Sequence, residues 1–173
     1  MVAITFANAQ YSIDKPANNE RITTLNKLIA ALDDDHCEVP CGIYGDSLRV
    51  SLIREHVSTI EKAMNQINEL SKAESPNYNQ LIRWVVNKEK HAEEIQHIVA
   101  QYFLHQRVKI PSADLGTMEM KAAKTKYFNQ LSSLHAIQVY AMKCKQGTDL
   151  NQVGKINTAI EDFEDYYFHG HKH

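Results

Sequence analysis

The 173-residue chain is poor in the residues that make turns and staples, with six glycines, four prolines and three cysteines. So few turn formers argue against a fold of many short strands, and the long runs rich in Ala, Leu, Ile, Lys, Glu and Gln favour helix. Three cysteines cannot close a disulfide framework, and a chain of this size needs none to bury a core. No apolar run approaches the roughly 20 residues of a membrane span. Charge of one sign is missing too: 19 Lys and Arg stand against 21 Asp and Glu. That balance leaves no polybasic footprint for nucleic acid or an anionic membrane. The opening "MVAITFANAQ" has Ala7 and Ala9 in a faint Ala-x-Ala pattern but no basic stretch before a short, broken apolar run. It does not read as a secretory signal, and a cytoplasmic location is expected.

What the chain does contain is helical periodicity. From Ser47 onward apolar residues fall into four blocks spaced by threes and fours. Ile53, Val57, Ile60, Met64 and Ile67 seam the first; "DS" at 46 and 47 can cap its start, and "ESPN" at 74–77 ends it, with Pro76 suited to the first turn of the next helix. The second runs over about 78–106, with Leu81, Val85, Ala92, Ile95, Val99 and Tyr102 on one stripe that Lys88 interrupts. A loop around "VKIPSADLG" leads to the third, about 118–146, seamed by Ala123, Tyr127, Leu131, Leu134, Ile137 and Ala141, with Gly147 placed to end it. Asp149 opens the fourth, where Leu150, Val153, Ile156, Ile160 and Phe163 repeat the pattern. Four amphipathic helices with short connections pack best antiparallel, so the expected fold is all-α, an up-down-up-down four-helix bundle.

Ahead of the bundle, "HCEVPCGIY" at 36–44 gathers two of the three cysteines, a histidine, a proline and a glycine. Cys37 and Cys41 are close enough to hold one metal ion together. If the peptide bond between Asp35 and His36 is cut, His36 gains an α-amine that a metal readily deprotonates. That amine, the Cys37 amide nitrogen and the Cys37 sulfur close two fused chelate rings. Cys41 adds a second thiolate once Pro40 and Gly42 have turned the chain back. Two nitrogens and two sulfurs in a plane select Ni(II) or Cu(II) over tetrahedral zinc, and they stabilise the higher oxidation state; the His36 imidazole is then free to bind axially.

His36, Cys37, Pro40, Cys41, Gly42 and Tyr44 reproduce the nickel hook, His-Cys-x-x-Pro-Cys-Gly-x-Tyr, and the chain resembles the nickel superoxide dismutase family over residues 36 to about 166. The resemblance implies a precursor whose leader, residues 1–35, is removed by a processing peptidase, followed by the hook at 36–46, a bundle at 47–168 and a histidine-containing tail at 169–173. It also implies a nickel cofactor on His36, Cys37 and Cys41, superoxide as substrate, and four-helix-bundle subunits assembled as a homohexamer. Tyr44 matches the tyrosine that lines the substrate approach. "IRWVVNKEKHAEEIQHIVAQYF" resembles the family's second helix and brings Tyr102 onto its second active-site tyrosine. Both phenols would order water and screen access. The family's glutamate and arginine that orient the axial histidine fall here on Leu52 or Ile53 and on His91, with Glu55 and Glu89 as substitutes nearby. Leader removal leaves 16 basic and 16 acidic residues, so any steering of an anionic substrate is local.

Other readings stand beside this one. A His-Cys pair with a second Cys is, taken alone, more often a zinc or thiol redox site. A non-catalytic metal-binding bundle would use Cys37, Cys41 and the tail histidines His169, His171 and His173 without turnover. A thiol redox protein would cycle a Cys37–Cys41 disulfide without metal. "EIQH" at 94–97 has the Glu-x-x-His form of di-iron bundles but occurs once, so a helix-surface pair is expected. Cys144, near a helix end, reads as a buried or idle thiol.

Overall fold

The structure, a computed structural model, describes residues 22–24, 44–112 and 116–168. Residues 22–24 are helical and exposed, within the short helix that "RITTLNKLIAAL" suggests. The bundle begins with α1 (Asp46–Leu70), which buries Val50, Ile53, Val57, Ile60, Met64 and Ile67. This is the seam that its spacing of threes and fours implies. Asp46 is the first residue of the helix rather than its cap, and Gly45 in the cap position makes no side-chain bond. The Asp46 carboxylate is engaged elsewhere.

Asn77, and not Pro76, starts α2 (Tyr78–His97): its side chain accepts from the Gln80 N–H at 3.2 Å. Only a side chain with an acceptor can satisfy an orphan N–H, which the proline expected in the first turn cannot do. Val85, expected in the core, is 40 % exposed, whereas Lys88 is only 3 % exposed. The cause is the length of α3 (Thr117–Gln146). Its last turn lies level with Lys88, whose Nζ reaches the Cys144 and Lys145 carbonyls at 2.5 and 2.6 Å. Nearer the start of α2 the apolar stripe has no α3 to pack on. Leu150 is another expected core position left partly exposed, because it precedes α4 (Asn151–Phe168). Asp149 opens that helix as expected, accepting from the Asn151 N–H at 3.0 Å and the Gln152 side chain at 2.8 Å. Gly147 follows α3 in extended backbone and ends it without a left-handed turn.

Downstream of His97 the second helix widens. Ile98–Arg107 is π-helical, and the Val108 N–H closes it on the Phe103 carbonyl at 2.8 Å, a step of five residues. α1 packs on α2 and on α4, α2 on α3, and α3 on α4, the closed ring of an antiparallel four-helix bundle. Phe103 and Phe163 meet edge to face in its core, centroids 4.9 Å apart. The Asn68 side chain donates to the Thr148 carbonyl at 3.2 Å and ties the far end. Where the site is concerned, the consequence is that the start of α1, the end of the π segment, the start of α3 and the end of α4 share one end of the bundle.

Candidate metal centre and its support

His36, Cys37 and Cys41 lie outside the described residues, as do the proposed leader and the tail histidines. Within them, the bundle end that follows the hook in sequence is built around one carboxylate. Asp46 Oδ1 accepts the Tyr102 hydroxyl at 2.5 Å and Arg107 Nε at 2.8 Å. Its Oδ2 accepts Arg107 Nη2 at 2.7 Å and the Tyr167 hydroxyl at 2.8 Å. The two bonds from Arg107 are the paired geometry that guanidinium and carboxylate favour. Position in the first turn of α1 adds the positive end of the helix dipole.

The π segment explains how one side chain collects both partners from the second helix. On an α-helix, residues five apart point about 140° away from each other. A π-helix, bonded from i to i+5, turns less per residue and returns residues five apart to the same side, so Tyr102 and Arg107 face Asp46 together. Sequence periodicity finds Tyr102 as a core-facing tyrosine; it misses Arg107, whose signal lies in a change of helix type, and the pairing of Asp46 with Tyr167, which joins opposite ends of the bundle sequence.

The electrostatics follow from the same contacts. Burial would raise the Asp46 carboxyl, but hydrogen bonds from Arg107, Tyr102 and Tyr167 and the arginine's charge outweigh it and hold the group below the ordinary value. Burial, then the bond to Asp46 and its charge, push Tyr102 above 10 and Tyr167 to about 12. Both phenols are therefore neutral at physiological pH. The bond to Asp46 raises the pKa of Arg107.

Tyr44, 40 % exposed, joins the cluster through its ring: the Arg107 guanidinium lies over it at 4.2 Å, and the Tyr44 and Tyr102 rings are 6.3 Å apart at 67°. Arg49 lies over the Tyr102 ring at 5.1 Å. The structure thus brings together the two tyrosines that the sequence singles out. On the outer side of the cluster opens a cavity of about 430 Å³, lined by Arg107, Lys109, Lys126, Tyr127, Gln130 and Tyr167 among others. It contains three cationic side chains and no carboxylate.

The remaining candidates have other surroundings. His91, which the resemblance sets where the family has an arginine, meets His56 with Nδ1 atoms 2.8 Å apart. One ring must donate and the other accept, so the pair is favoured with at most one proton between the two nitrogens. Burial, and then the charge of His91, lower the His56 pKa. Ile53 is buried in the core and Leu52 packs against it. Glu89 is engaged by Lys88 at 3.0 Å and approached by Lys145 at 4.0 Å. His97 of "EIQH" is exposed and Glu94 half-buried. Cys144 is fully buried, and burial pushes its thiol up to about 11. Among the described residues no group of three or more His, Cys, Asp or Glu side chains is arranged to hold a metal ion, and no helix is long and apolar enough to cross a membrane.

The described residues thus form an all-α bundle with tyrosines and an arginine–carboxylate pair gathered at the end that follows the histidine–cysteine stretch in sequence. The family model of nickel-containing superoxide dismutase matches residues 27–172, and the chain belongs to that family. Its cofactor is nickel and its substrate is superoxide. Neither the curated proteins nor the solved structures gave a match.

Proposed function

We propose that the chain dismutates superoxide only after cleavage between Asp35 and His36. The observation that carries this reading is the hook sequence inside the stretch matched by the family. The donor set suits the metal: the His36 amine and imidazole, the Cys37 amide nitrogen and sulfur, and the Cys41 sulfur would hold nickel, because deprotonated amide and thiolate donors reward a planar d-block ion. Bound there, nickel supplies a one-electron couple between its divalent and trivalent states within reach of superoxide. Overall, two superoxide anions and two protons give one dioxygen and one hydrogen peroxide.

The rest of the work falls to the chain's own side chains. Tyr44 and Tyr102 order water and narrow the approach. The ring of Tyr44 begins three residues beyond Cys41, so chain length alone keeps their Cα atoms within about 11 Å. The cationic cavity at Arg107, Lys109 and Lys126 raises the local concentration of an anion although the processed chain has 16 charges of each sign. A homohexamer in the cytoplasm completes the reading. Tyr78, Ile82, Val85 and Val86 form an exposed apolar stripe along the first half of α2, a surface suited to contact between subunits.

Mass spectrometry of the mature N-terminus, with superoxide loss assayed before and after nickel removal, tests the proposal. A chain beginning at His36 that loses activity with its nickel is the expected result. Stoichiometric metal binding by the uncut chain without turnover would favour a metal-binding bundle. Activity that survives chelation would favour thiol redox chemistry at Cys37 and Cys41.

A further inference from the structure

We propose that Asp46 is a positioning residue for the reaction, fixing the Tyr102 phenol, the Arg107 guanidinium and, through that guanidinium, the Tyr44 ring as one unit. The inference rests on the reading of Tyr44 and Tyr102 as active-site tyrosines, and extends it to a residue outside the hook pattern. The Asp46 carboxylate holds Arg107 by paired bonds. It also takes the only proton that Tyr102 can donate, at 2.5 Å. With its proton committed, Tyr102 can act toward the solvent side only as an acceptor. A water held by Tyr102 must then donate one O–H to the phenol, leaving its second O–H for an anion. Arg107, with Nε and Nη2 fixed on Asp46, presents its flat face to Tyr44 at 4.2 Å. Loss of Asp46 would therefore release both rings and reverse the hydrogen-bond sense of Tyr102.

The test uses processed protein with two readouts. In metal-free protein, tyrosinate absorbance is followed against pH; subtracting the matching Tyr102→Phe variant isolates Tyr102 from the other six tyrosines of residues 36–173. Asp46→Asn is expected to move that titration to lower pH, since the charge that favours the neutral phenol is gone and an amide oxygen is a weaker acceptor than a carboxylate. In nickel-loaded protein, Asp46→Asn is expected to lower turnover about tenfold or more and to move the alkaline limb of the activity profile down in step. Asp46→Glu is expected to restore the titration and part of the rate. An unmoved Tyr102 titration, or a slower enzyme with an unchanged alkaline limb, would overturn the proposal. Should Asp46→Asn fail to fold, Arg107→Lys carries the test: it keeps the charge and loses the paired donors, so several-fold slower turnover supports the proposal and wild-type turnover overturns it. Because the titration needs no metal, it stands even if the hook chemistry proves otherwise.

Discussion

At the end of the bundle where α1 begins and α4 finishes, Tyr102, Arg107 and Tyr167 reach a single carboxylate from two other helices. At the opposite end Lys88 reaches the carbonyls of Cys144 and Lys145, and Asn68 that of Thr148. The far end thus solves a folding problem: the last carbonyls of α3 lack intrahelical partners, and a cation at a helix C-terminus supplies them. The near end leaves two phenols and an arginine converging on Asp46, an arrangement no helix terminus requires.

Substitutions that strike one end and spare the other test this contrast. The largest effect expected is at the far end: Lys88→Met should cost roughly 2–3 kcal/mol, because buried carbonyls lose a charged donor, and urea unfolding reads it. Turnover per folded, nickel-loaded molecule should hold; a matching fall in turnover would erase the distinction. At the near end, reversing Lys109 and Lys126 to Glu should reduce kcat/KM about three- to tenfold at low ionic strength with little change in stability, and added salt should shrink the difference. Stopped-flow superoxide decay across a salt series measures it.

A smaller, pH-dependent effect is expected midway along the bundle. The His56 pKa is lowered in the fold from 6.5, so the unfolded chain binds the proton more readily. Stability is then greatest above about 6.5 and declines as pH falls from there through the folded value. Thermal melts from pH 8 to 5 should show the decline, and His56→Gln should flatten it. The smallest effect belongs to Arg54, which pairs with Glu164 in a partly exposed setting; Arg54→Ala should cost under about 1 kcal/mol in a denaturant melt, as such pairs usually do.

Much of the bundle is legible in the sequence. The seam of α1 from Ile53 to Ile67 and the start of α4 at Asp149 follow from spacing and residue type, whereas the spacing leaves Cys144 either buried or idle and packing decides for burial. Val85 was not readable, because its exposure depends on where a different helix stops. Pro76 was given a place that Asn77 holds, since both suit a helix start and only the hydrogen bond decides. Lys88 stood out as an interruption, though nothing local says that its partners are carbonyls 56 and 57 residues away. At the site, the tyrosines came from the hook pattern and the core stripe. Arg107 did not, for a period of 3.6 turns it away from Tyr102, and the widening of the helix that brings them together leaves no mark in composition.

The bond between Tyr167 and Asp46 spans 121 positions of sequence and joins the last turn of the final helix to the first residue of the first. The chain therefore leaves the bundle, after Phe168, from the same face that carries the arginine and both phenols. A fusion partner or affinity handle joined after Phe168 is anchored at the Asp46 end of the bundle, whereas one tethered through the Ser71–Asn77 connection is anchored a bundle's length away.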